Sequence, residues 1–147
     1  VAHIAVDPFD AAYDPEAVVA RMRRSSSGIK RLLLDQRVVS GFGNIYADET
    51  LWRARLHPEL PGMRLSGKRG LELLEHGRQV LAEALEAGGT SFDALYVNVN
   101  GESGYFEIFL RCYGRSGEPC HRCGTPIVRE PFMNRSSFRC PKCQRLR

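Results

Sequence analysis

No apolar run in these 147 residues approaches the roughly 20 needed to span a bilayer, so no membrane partner is expected. A secretory signal is missing too, and the cysteines number five, an odd total. That argues against a disulfide framework, and a reduced, soluble, cytoplasmic protein is expected, working as a monomer. The histidines His3, His57, His76 and His121 are scattered, with no spacing that suits a metal triad or a nucleophile with its base. Asp48 and Glu49 are neighbours on a helix and point in different directions, which argues against a paired-carboxylate site. Internal repeats and low-complexity tracts are lacking. The chain also opens without Met, in mid-pattern at Val1-Ala2-His3-Ile4-Ala5-Val6, and reads as a fragment.

The informative residues lie at the other end. Cys120-x-x-Cys123 and Cys140-x-x-Cys143 stand sixteen residues apart. Two thiolates spaced by two residues can turn back onto one ion, and two such pairs fill the tetrahedral shell of a structural zinc. One structural zinc on Cys120, Cys123, Cys140 and Cys143 is therefore expected, with no open position for chemistry. His121 reads as an exposed bystander, and Cys112, in an alternating apolar pattern, as a small core residue. The formal charge of +4 hides an asymmetry: residues 111–147 carry nine basic and two acidic side chains, the remainder twelve and fifteen. A zinc hairpin with that local excess points to a polyanionic partner, nucleic acid first.

Upstream, the pattern is helical. Asp14-Pro15-Glu16 supplies an N-cap, a proline at the first helical position and an acid in the first turn, predicting a helix to about Arg23. A short helix follows from Ile29 to about Gln36. Another begins at Asn44, after the turn Gly41-Phe42-Gly43. The longest helix starts at Ser66, with Leu74, Gly77, Leu81 and Leu85 on one side, and stops at Gly88-Gly89. Alternation from Phe106 through Ile108 and Leu110 to Cys112 predicts a strand leading into the hairpin. Residues 90–104, without a clear period, read as a working loop. The turn before Asn44 can hold an anion on free backbone amides, with Asn44 either capping the helix or donating its amide to a phosphate. Arg21, Arg23, Arg24, Lys30, Arg31 and Arg37 stand nearby in sequence against one acid, Asp35. These residues alone describe a DNA-binding module, mainly α with a small β zinc-finger hairpin.

The run from Leu34-Asp35-Gln36-Arg37 through Gly41-Phe42-Gly43-Asn44-Ile45-Tyr46-Ala47-Asp48-Glu49, followed by His57-Pro58, resembles the helix-two-turn-helix signature of bacterial formamidopyrimidine-DNA glycosylases. Gly88-Gly89-Thr90-Ser91, Tyr113-Gly114-Arg115 and the ending Cys140-Pro141-Lys142-Cys143-Gln144 are similar to the same family. The resemblance implies a base-excision repair enzyme, a glycosylase and AP lyase, that flips an oxidised purine such as 8-oxoguanine or a formamidopyrimidine out of double-stranded DNA. Its catalysts are an N-terminal proline and an adjacent glutamate, neither of which this chain carries, so by itself the chain is expected to be inactive. The implied domains are a linker remnant at 1–13, a helix-two-turn-helix domain at 14–110 and a four-cysteine zinc finger at 111–147. DNA contacts are implied for Lys30, Gly43, Asn44, Tyr113, Arg115 and Arg135, and a base-capping loop for Val99, Asn100, Gly101, Gly104 and Tyr105. An endonuclease VIII-type enzyme for oxidised pyrimidines and a non-catalytic zinc-ribbon DNA-binding protein are the alternatives.

Overall fold

The computed structural model describes residues 4–87 and 110–146. Helix α1 (Pro15–Met22) begins where expected, because the Asp14 carboxylate accepts the amides of Glu16 and Ala17 at 3.1 and 3.3 Å. Helix α2 (Ile29–Leu34) is one short turn-and-a-half, and α3 (Asn44–Ala54) follows it after Gly41, whose φ of +103° only glycine adopts freely. A 3-10 turn (Gly62–Arg64) leads into α4 (Gly67–Glu86), whose Ser66 hydroxyl accepts from the Arg69 amide at 3.1 Å.

Helix α4 packs on α1 and α3 and closes the aliphatic core. Gly77 permits that approach: a Cβ there would lie 2.5 Å from Cζ of Phe42. The predicted stripe on α4 needs one correction. Leu74, Gly77 and Leu81 are buried, but Leu85 is 53% exposed and Ala84 takes the next core position. Each four-residue step advances about 40° around a helix, so two in succession carry Leu85 off the buried face, while a three-residue step to Ala84 stays on it.

Residues 106–109 lie outside the described residues, and Leu110 to Cys112 form no strand. Their chain is bent around a side chain instead, although Leu110 and Cys112 are buried as predicted. Strands β1 (Val128–Phe132) and β2 (Arg135–Arg139) then pair antiparallel, Val128 opposite Arg139 and Phe132 opposite Arg135. Met133 and Asn134, at φ 46° and 64°, make the two-residue turn whose twist matches a hairpin. A second small core joins Ile127 and Phe138 to Cys112, Cys120 and Cys140, and Trp52 of α3 fills it. The fold is thus mainly α with a small β hairpin.

Candidate nucleic-acid interface

The two cysteine pairs converge. One sulfur from each of Cys120, Cys123, Cys140 and Cys143 lies within 4.8 Å of the others. Zinc–sulfur bonds of about 2.3 Å at tetrahedral angles place sulfurs about 3.8 Å apart. The separations here are 3.9 Å for Cys120–Cys143, 3.5 Å for Cys123–Cys140 and 3.6 Å for Cys123–Cys143. All exceed a disulfide bond of about 2.05 Å by far. The four thiolates therefore fit one structural zinc. His121 is exposed and outside the set, and burial pushes the Cys112 thiol up, so that it stays a neutral core group.

What orients this knuckle is a polar seam along α3. Asn44, Asp48 and Trp52 recur every four residues and so share one face. Each reaches the finger: the Asn44 amide donates to the Ser136 carbonyl at 2.9 Å, Asp48 Oδ2 accepts the Phe138 amide at 2.8 Å, and the Trp52 indole N–H donates to Cys120 Sγ at 3.3 Å. The Arg122 guanidinium covers the indole at 3.7 Å. One residue around, the Glu49 carboxylate accepts three consecutive amides, from Arg111, Cys112 and Tyr113, at 2.8, 2.8 and 2.7 Å. Here lies the reason why Leu110 to Cys112 form no strand, since those donors are spent on a side chain. Gln144 completes the seam, accepting from the Cys140 amide and donating to the Leu56 carbonyl. Asp48 and Glu49 do point apart, as expected. Sequence reasoning missed their role, and the available signal was two acids on a helix whose residues are apolar on nearly every side.

Through this seam Gly43 and Asn44 of the helical region meet Arg135 of the hairpin tip. With Arg31, Arg37 and Phe132 they line one open concavity of about 730 Å³. Arg31 and Arg135 are exposed and enter no ion pair among the described residues. Arg37 is held by Asp35 through two hydrogen bonds of 3.0 and 2.9 Å, and the guanidinium keeps that carboxyl below its usual range. Gly43 is the N-cap of α3 and offers no side chain to the first-turn amides. Asn44 is the first helical residue and not the cap, its amide being tied to Ser136.

Three expected DNA contacts lie elsewhere. Lys30 is fully buried, its ammonium 2.8 Å from Asp48 Oδ1 and 4.3 Å above the Phe132 ring. Burial lowers its pKa, and burial also pushes Asp48 up to about 6 against the opposing pull of Lys30. Tyr113 packs edge-on against Phe138 at 4.7 Å. The Arg115 guanidinium donates to the carbonyls of Arg111 and Pro119, knitting its own loop. None of the three lines the concavity that holds Asn44 and Arg135. The capping-loop residues Val99, Asn100, Gly101, Gly104 and Tyr105 lie outside the described residues.

Known proteins match both parts. Residues 4–95 match the formamidopyrimidine-DNA glycosylase H2TH domain, and residues 117–146 the zinc finger found in FPG and IleRS. A formamidopyrimidine-DNA glycosylase from a Nocardioides species is 64% identical over 144 residues, 98% of this chain and 49% of the relative. One from Streptomyces coelicolor is 61% identical over 145 residues, 99% of this chain and 51% of the relative. The chain thus spans about half the length of the curated relatives it matches. Among solved structures, the MutM (Fpg) protein of Thermus thermophilus superposes with a TM-score of 0.83 at 37% identity, covering 96% of this chain and 53% of that one. The Lactococcus lactis Fpg in complex with FAPY-dG containing DNA gives 0.84 at 33%, covering 97% and 51%. A helical domain that matches over more than half of the chain, joined to a four-thiolate finger of the same lineage, makes this chain a member of the formamidopyrimidine-DNA glycosylase family.

Proposed function

We propose that this chain is the DNA-gripping half of a base-excision repair glycosylase and AP lyase that removes oxidised purines from duplex DNA. The observation that carries the reading is the shared concavity of Gly43, Asn44, Arg31 and Arg135, assembled from elements far apart in sequence. Arg135 extends from a hairpin whose root is fixed by four sulfurs, so its planar fork can take a phosphate through two parallel bonds with little further ordering. The uncapped start of α3 offers backbone amides and the positive end of the helix dipole to a neighbouring phosphate. Two phosphates held at fixed separation bend the strand between them, which lowers the cost of extruding a base. Zinc supplies no reaction step here; it holds the hairpin root.

The grip by itself does not incise. The one lysine that the family pattern brings to the site, Lys30, has its amine buried against Asp48 and beneath Phe132, where no sugar carbon can reach it. The reading of the lesion as an oxidised purine rests on the relatives, one of which is seen with FAPY-dG containing DNA.

Fluorescence anisotropy with an 8-oxoguanine duplex tests the grip. Arg135→Ala should weaken binding by about 1.5–3 kcal/mol, the range of a hydrogen bond to a charged group. It should also reduce the salt slope by about one phosphate contact. A loss no larger than that from Arg24→Ala, an exposed arginine outside the concavity, would mean that the finger attracts DNA only by diffuse charge. Borohydride trapping on the same duplex should give no covalent adduct with this chain alone.

A further inference from the structure

We infer that the chain carries a second phosphate-binding site, separate from the Arg135 concavity, that takes a single-stranded nucleic-acid backbone. A cleft of about 530 Å³ opens where the end of α3, the start of α4 and the zinc knuckle meet. Its rim is cationic: Arg55, Arg64 and Arg69 come from the helical region, Lys142 and Arg145 from the finger. No carboxylate is among its lining residues. Arg69 is partly occupied, donating to the Ala54 carbonyl at 2.9 Å and lying 3.5 Å from Glu72. Arg55, Arg64, Lys142 and Arg145 are exposed and form no ion pair among the described residues. The zinc thiolates Cys123 and Cys143 also line the cleft and offset part of this charge, but five cations outweigh them, and a polyanion seated on the rim relieves the repulsion that is left. Four of the five are arginines, whose forked donors match phosphate.

The cleft is not an extension of the first site. Asn44 opens α3 in the Arg135 concavity, whereas Arg55 follows its last turn, about 16 Å along the axis at 1.5 Å per residue. The two clefts share no lining residue.

Flexibility selects the ligand: a single strand can bend its backbone into the hollow and follow a basic groove, whereas the stiffer duplex is held at the Arg135 concavity. An acidic peptide would need an apolar seat for an anchoring side chain. The leucines of the floor offer no deep seat of this kind, Leu56, Leu60 and Leu65 being 6%, 9% and 2% exposed. A ring of charge over a closed floor suits a backbone and not a side-chain anchor.

The test uses the 147-residue chain with its zinc and a fluorescein-labelled decathymidylate. The strand should bind at low salt even when the chain is saturated with unlabelled duplex. Arg55→Gln combined with Arg64→Gln, neither of which is a zinc ligand, should weaken it roughly tenfold and flatten the salt slope by about 1.4, two single-strand phosphate contacts. Zinc content and duplex affinity should stay unchanged in that variant, and Arg135→Ala should leave strand binding intact. Inorganic tripolyphosphate, which spans fewer of the cations, should compete only at much higher concentration. Displacement of the strand by duplex, or its loss in Arg135→Ala alone, would overturn the second site. Displacement at equal concentration by tripolyphosphate would reassign the cleft to free polyphosphates, and by octaglutamate to an acidic protein. Failure of the duplex to bind would count against the proposed grip, and the strand assay would still be decided by the two variants.

Discussion

The helical region closes an unbroken set of aliphatic side chains from Val19 to Ala84 around Leu33, Ile45 and Leu73, whereas the zinc hairpin brings little to its own interior besides Ile127, Phe138 and its sulfurs. It borrows Trp52 from α3 to fill the gap. One region is held by apolar burial, the other by metal ligation and by a seam of hydrogen bonds to a neighbour. Such a seam fixes where the hairpin sits, and so where Arg135 sits, more than it adds stability. Buried charges give back much of their attraction as desolvation.

Breaking the metal should separate the two regions most widely. Cys140→Ser removes one ligand from a site worth on the order of 10 kcal/mol. The hairpin should unfold, zinc should be released in a colorimetric assay, and duplex binding should vanish, while far-UV circular dichroism keeps the helical signal. Collapse of the helices along with the zinc would show that the regions are not separately held.

Glu49→Gln acts on the seam. A carboxamide can accept with one atom only, and its NH2 would face buried amide donors of Arg111, Cys112 or Tyr113. Urea unfolding should show a loss of about 2–4 kcal/mol from the unsatisfied donors. A change within error would mean that the loop re-pairs elsewhere.

Asp48 gives the seam a pH signature. Burial raises it from 3.8 to about 6, so the folded chain holds a proton that the unfolded chain releases. This group therefore favours the fold below pH 4, and that contribution is lost as the pH rises through 6. Asp48→Asn removes the titration while keeping an acceptor for Phe138. Relative to the wild type, the variant should gain stability between about pH 4 and 7, on the order of 3 kcal/mol at most. A loss over that interval would show that the attraction of Lys30 outweighs burial.

Gly77→Ala touches only the apolar region. Its new methyl would meet the Phe42 ring, and overpacking of this kind costs about 1–3 kcal/mol. Thermal unfolding of the helices should shift down while zinc retention by the finger does not. Zinc loss in step with the helices would erase the distinction.

The sequence was most legible where chemistry is local. Asp14 and Pro15 predict the start of α1 and Ser66 that of α4 because each acts on neighbours within a few residues, and the metal site is legible because each cysteine pair is a local motif that leaves its mark on the sequence. The seam was illegible for the opposite reason. Asp48 and Glu49 are satisfied by backbone amides 62 to 90 residues away, and an amide leaves no mark on the sequence. Lys30 shows the same effect: among so many arginines it reads as one more surface cation, and only the fold reveals that Asp48 and Phe132 enclose it. Arg115 shows it as well, since its sequence neighbours do not announce that its guanidinium donates to the carbonyls of Arg111 and Pro119.

Trp52 is the single tryptophan of the chain, and its indole nitrogen lies 3.3 Å from a ligand sulfur. Loss of the metal frees the sulfur that this nitrogen contacts, so the surroundings of the indole change with the state of the site. The emission of one residue, with no dye attached, therefore serves as an optical gauge of the finger's metal state, readable in the same cuvette in which DNA is titrated.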